Sequence, residues 1–181
     1  MLVGNSFYFP AAYESIATTS VGSGGQTTIT FSSIPSTYKH LQLRVFAKAN
    51  YAANIFSLGI RYNSDSGANY TYHSTYGNTT SAISNGYTGY TYDYTCSVMG
   101  TSTANNFATN VIDILDYADT NKYKTIRSFN GADVNGSGGS VALASCLWQS
   151  TSAINSISIS TGGYGDLLQY SHFALYGIKG A

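Results

Sequence analysis

The stretch "HLQLRVFAK", residues 40–48, decides the fold class. Leu41, Leu43, Val45 and Ala47 fall on one side of it, and Gln42, Arg44 and Lys48 on the other. A period of two is the signature of an extended strand with one face in a core, whereas a helix would show a period near 3.6. The next run, "NIFSLGIRY" (54–62), repeats the pattern through Phe56, Leu58, Ile60 and Tyr62. Upstream, "ESIATTSV" (14–21) leads into the glycine turn "GSGG" (22–25), and "TTITFS" (27–32) places Ile29 and Phe31 on one side. Pro35 in "SIPSTY" has no N–H to give a ladder and forces a corner.

Downstream, the chain from 63 to 106 is rich in Asn, Ser, Thr, Gly and Tyr, and its strands are expected to have one modestly apolar face. "FATNVIDILDY" (107–117) is the most apolar run, and "NKYKTIRSFNGAD" (121–133) follows it as the second arm of a hairpin. Asn85-Gly86, Asn130-Gly131 and Asn135-Gly136 read as turn pairs. "SVALASCLWQ" (140–149), "AINSISIST" (153–161) and "HFALYGIKG" (172–180) complete about nine or ten strands. The expected fold is all-β: a two-sheet antiparallel sandwich, jelly-roll-like, with a short N-terminal arm. The expected division is a docking arm over 1–12 and a single sandwich domain over 13–181. For the arm, with Phe7, Tyr8, Phe9 and Pro10, a first edge strand is the competing reading.

Composition narrows the function. Of 181 residues 9% are charged, and eight acids cancel eight bases. Ordinary globular domains carry about 25% charged residues, and low net charge leaves little repulsion between copies. No basic stripe exists, so binding to nucleic acid through its phosphates is not expected. No stretch approaches the ~18 apolar residues of a membrane span. The first residues lack the basic start and apolar run of a secretory signal. Cys96 and Cys146 have no C-x-x-C spacing, and buried free thiols are expected rather than a disulfide.

No catalytic constellation emerges. Asp113 and Asp116 are three apart on one strand, so they point to opposite faces instead of flanking one bond. Asp113 is expected to pair across strands with a base, and Asp116 to begin a turn. His40, His73 and His172 stand apart without metal-ligand spacing. Asp116 and Asp119 in "DYADTN" read as a turn, with calcium as the alternative. Neither metal nor cofactor is expected. "SNGYTGYTYDYT" (84–95) carries Tyr87, Tyr90, Tyr92 and Tyr94. In an extended chain Tyr90, Tyr92 and Tyr94 share one side, and Asp93 faces the other. Such a face could stack a sugar, or pack on a neighbouring strand or subunit.

Three segments carry a resemblance: "YESIATTSVGSGGQTTITFSSIPSTYKHLQLR" (13–44), "VIDILDYADTNKYKTIRS" (111–128) and "SHFALYGIKG" (171–180). The shared pattern rests on Tyr13 to Ile16, Gly22 to Gly25, Ser33 to Pro35, Tyr38, His40 to Gln42, Asp113 to Tyr117 and Phe173 to Ile178. In these segments the chain resembles a family of tailed-phage virion proteins. The resemblance implies a β-sandwich structural module of the phage particle. The expectation is a capsid decoration (cement) protein on the virion surface, made in the host cytoplasm. It would be a homotrimer that binds across major capsid protein subunits. The candidate contacts are Phe7, Tyr8, Phe9, Tyr90, Tyr92 and Tyr94. The alternative is a tail-fibre or head-fibre tip that binds a host-surface glycan.

Overall fold

The computed structural model describes residues 12–102, 104–134 and 138–180. The arm residues Phe7, Tyr8 and Phe9, and the turn pair Asn135-Gly136, lie outside them. The described residues form twelve strands: β1 (Tyr13–Ser20), β2 (Thr28–Phe31), β3 (His40–Ala47), β4 (Ile55–Tyr62), β5 (Tyr70–Asn78), β6 (Ala82–Tyr90), β7 (Asp93–Met99), β8 (Ala108–Leu115), β9 (Lys124–Asp133), β10 (Gly139–Trp148), β11 (Ile157–Ser160) and β12 (His172–Ile178). They make two antiparallel sheets, ordered β1-β12-β3-β8-β9-β10-β5-β6 and β2-β11-β4-β7. The chain passes repeatedly from one sheet to the other, as a jelly-roll-like sandwich does.

The inward positions follow the alternation of the sequence. Leu41, Leu43, Val45 and Ala47 of β3, Ile112 and Ile114 of β8, Ile126 of β9 and Phe173 and Leu175 of β12 are buried. Ile29 and Phe31 of β2, Leu58, Ile60 and Tyr62 of β4, and Ile157 and Ile159 of β11 belong to the same core. The Pro35 corner is tied down by Tyr117, whose hydroxyl donates to the Pro35 carbonyl. Lys124 is fully buried, and its amine donates to the carbonyls of Lys122 (2.9 Å), Thr151 (3.1 Å) and Ser150 (3.5 Å).

The small sheet ends at β7, and its free edge is closed by side chains of the large sheet. The Ser97 N–H donates to Asn110 Oδ1 (2.7 Å), and Asn110 Nδ2 returns a bond to the Ser97 carbonyl (2.8 Å). The Thr95 carbonyl accepts from Ser128 Oγ (2.7 Å) and Asn130 Nδ2 (3.1 Å). An open edge would expose these backbone groups; here three polar side chains satisfy them.

Several expectations need correction. The two Asn-Gly pairs among the described residues are not turns. Gly86 pairs with His73 inside β6, under the imidazole; a Cβ there would stand 2.5 Å from His73 Cδ2. Asn130-Gly131 lies within β9, where Asn130 is needed for the β7 edge. The β5–β6 hairpin instead turns at Asn78, whose Oδ1 accepts from the N–H groups of Thr80 (3.0 Å) and Ser81 (2.8 Å). Gln42 lies on the outer side as expected but is buried, because Arg44 Nε donates to its Oε1 and its Nε2 donates to Asp113. Lys48 is buried beyond the end of β3, where the alternation stops.

Candidate functional site

The segment 84–95 is not one strand. β6 ends at Tyr90, Thr91 and Tyr92 turn the corner, and β7 begins in the other sheet at Asp93. Tyr90, Tyr92 and Tyr94 therefore form no flat row. They are half-buried in an internal cluster. Tyr90 meets Tyr94 edge-on at 5.5 Å between ring centroids and also packs on Tyr72 and Tyr87, at 5.7 Å each. Tyr92 lies 5.6 Å from Tyr94, with the Arg61 guanidinium 3.8 Å above its ring. Gly59 makes room for it: a Cβ there would stand 2.5 Å from Tyr92 Cδ1. Neighbouring strands of the same chain pack against these rings.

Asp93 does face away from the tyrosines and is fully buried. It accepts from the Tyr62 hydroxyl (2.7 Å) and the Thr95 N–H (2.8 Å). Burial pushes its carboxyl above the usual aspartate range, and these hydrogen bonds offset only part of the rise. Tyr62, Tyr70 and Trp148 pack beside it, and the Trp148 indole donates to Asp65 (2.7 Å). A carboxyl sealed in this way braces the core and reaches no substrate.

Asp113 and Asp116 are held by bases. Asp113 bonds Arg127 Nη2 at 2.9 Å across β8 and β9, as expected. Asp116 begins the turn after β8 and is bridged by Lys122 and Lys39, which hold its carboxyl down at about 2. Lys122 thus sits where a cation between Asp116 and Asp119 would have to lie. Among the described residues no cluster of His, Cys, Asp and Glu could hold a metal ion. Cys96 and Cys146 are buried free thiols, as expected.

Two open surfaces stand out among the described residues. The first is a cleft of about 650 Å3 on the inner face of the large sheet, where the small sheet no longer covers it. Ala142 and Ala144 of β10 are too short to fill it, and Tyr72, Ser74 and Tyr76 of β5 and Asn85 of β6 line it. Residues 54–57, with Tyr94, Thr95 and Ser97, form the opposite wall.

The second is the outer face of the large sheet. Register aligns Arg44, Val111, Phe129, Leu143 and Thr75 in one cross-strand row. Phe46, Thr109, Gly131, Val141 and Gly77 form the next. Phe129 and Leu143 are each 55% exposed and Val141 51%, and Phe46 stacks on Phe107 at 4.7 Å. Strand spacing gives this apolar area an extent on the order of 200–300 Å2. A polar row of Gln42, Asp113 and Arg127 borders it. Sequence reasoning missed this face, although Phe46 sits at the same parity as Gln42 and Arg44, which is an aromatic on the polar side of its strand.

No protein-family model matches the chain, and no curated protein matches it. Among solved structures it is similar to the crystal structure of the Caenorhabditis elegans galectin LEC-6, at 10% identity and a TM-score of 0.36. That match covers 90% of this chain and 96% of the galectin chain.

Proposed function

We propose that the chain is a phage virion structural protein that acts by docking: a capsid decoration protein binding across major capsid protein subunits as a homotrimer. The observation that carries the reading is the exposed apolar face of Phe46, Val111, Phe129, Val141 and Leu143. Solvent-exposed aromatic and aliphatic side chains in register, bordered by a polar rim, have the anatomy of an interface core. The scarcity of charge and the resemblance in the terminal segments and the β8–β9 hairpin support the same reading. Arg127 and Asp113 neutralise each other, and Arg44, at the end of the apolar row, is held by Gln42 and the Tyr13 and Tyr176 rings and falls on the rim of the contact. A standard interface covers about 800 Å2 on each partner, so the apolar area is its centre and the polar row part of its rim.

The test is cryo-electron microscopy of particles with and without the protein. Docked density across capsomer joints is expected, with the outer face of the large sheet against the shell. A chain carrying Phe129→Lys and Leu143→Lys should fold and fail to dock. Density at a fibre tip, or undiminished docking by that variant, refutes the reading. Sedimentation of the purified chain tests the trimer, and a monomer at high concentration rejects it.

A further inference from the structure

We infer that the cleft between the β10–β5–β6 face and the β4–β7 wall is a binding site for a neutral carbohydrate. Its volume, about 650 Å3, lies within the ~300–1,000 Å3 of small-ligand sites. None of its described lining residues is Asp, Glu, Lys or Arg. A phosphate, sulfate or carboxylate ligand would therefore find no counter-charge among them. A wholly apolar ligand would strip water from the amides and hydroxyls without replacing their hydrogen bonds. A neutral sugar satisfies both constraints, offering hydroxyls to the amides and C–H faces to the rings.

The polar groups of the cleft divide in two. Asn130 and Asn78 spend their amides inside the protein, on the β7 edge and the β5–β6 turn. Ser74 and Asn85 are half-buried, and their side chains have no hydrogen-bond partner among the described residues. Thr95 Oγ1, on the β7 wall, is buried and also has none. Half-buried hydroxyls and amides of this kind bond to water, and a ligand's hydroxyls can take that water's place; a buried oxygen without a partner is the uncommon case. Tyr76, on the same face of β5 as Ser74, supplies an aromatic surface beside them. The proposal moves recognition from the corner tyrosines, which are packed on one another, to a cavity on the other side of Tyr72 and Tyr94. It is independent of docking, because the apolar outer face lies on the opposite side of the large sheet.

The experiment is an array of neutral and acidic oligosaccharides probed with the purified full chain, followed by calorimetric titration of the best neutral binder. Neutral glycans should be retained. Asn85→Leu and Tyr76→Ala should each weaken binding at least tenfold at an unchanged urea midpoint. Asn85 makes no side-chain bond to the described residues, so Asn85→Leu serves even if Tyr76→Ala folds poorly. The docking variant Phe129→Lys should bind sugar normally. Retention of acidic glycans alone, no retention at all, or binding indifferent to Asn85→Leu overturns the assignment.

Discussion

Replacing Asp93 with Asn should reshape the pH dependence of stability, and the structure states the sign. The folded chain holds the Asp93 proton to a higher pH than the unfolded chain, whose aspartate titrates near the ordinary 3.8. The contribution of this group is fully present below that value and is lost as pH rises through the raised folded value. Between the two, one proton's difference changes stability by about 1.4 kcal/mol per pH unit. The amide introduced by Asp93→Asn would mimic the protonated acid permanently, with a donor and an acceptor at the same site. Asp65, Asp116, Asp119 and Glu14 have lowered values and slope the other way. The informative quantity is therefore the difference between Asp93→Asn and the unaltered chain. Urea unfolding followed by the fluorescence of Trp148, 5.7 Å from Tyr62, measures it from pH 3 to 8. The variant should gain on the parent as pH rises from about 4, and the gain should then level off. Asp93→Ala is the control. It orphans the Tyr62 hydroxyl and the Thr95 N–H, at about 1–3 kcal/mol each, and should be less stable than the parent at every pH. A flat difference curve, or a parent that gains on the Asn variant with rising pH, refutes the reasoning.

Other expectations follow from single contacts. Gly59→Ala drives a methyl into the Tyr92 ring and should cost about 1–3 kcal/mol, with loss of the Tyr92–Arg61 stacking seen as a change in tyrosine near-ultraviolet dichroism. Lys124→Met keeps the buried stem but leaves the carbonyls of Lys122, Ser150 and Thr151 without their shared donor. About 2–4 kcal/mol should be lost in urea unfolding at neutral pH. Burial pushes both thiols up, so a thiol reagent at mildly alkaline pH should leave Cys96 and Cys146 unmodified until urea unfolds the chain. Phe129→Lys, on the exposed outer face, should shift stability by no more than about 0.5 kcal/mol while abolishing particle docking.

The sheet architecture was legible wherever one strand face was strongly apolar. β3, β4 and β8 alternate in sequence as they do in space, and the residues expected to face inward on β3 are buried. Legibility fell where polar residues point inward. Asn130-Gly131 has the composition of a turn, yet the amide is required within a strand to serve a neighbouring edge, a demand visible only once two sheets meet. Gly86 is likewise a glycine because an imidazole lies over it. The tyrosine stretch misled for a different reason. A period of two persists across a corner when the residue count happens to keep phase, so parity alone cannot show that Tyr90 and Tyr94 belong to different sheets. The cleft could not be foreseen, since it exists through what the small sheet leaves uncovered. The outer apolar face could have been found, because Phe46, Val111, Phe129 and Leu143 break the polar side of otherwise regular strands.

The amide closure of β7 decides where this protein can and cannot grow. With Thr95 and Ser97 already saturated by Asn110, Ser128 and Asn130, that flank has nothing left to offer an incoming strand. Polymerisation by ladder extension is excluded there, and the cleft wall it supports is anchored to the large sheet. The cleft therefore has one rim that cannot be lengthened, while its far rim is β6, the outermost strand of the large sheet.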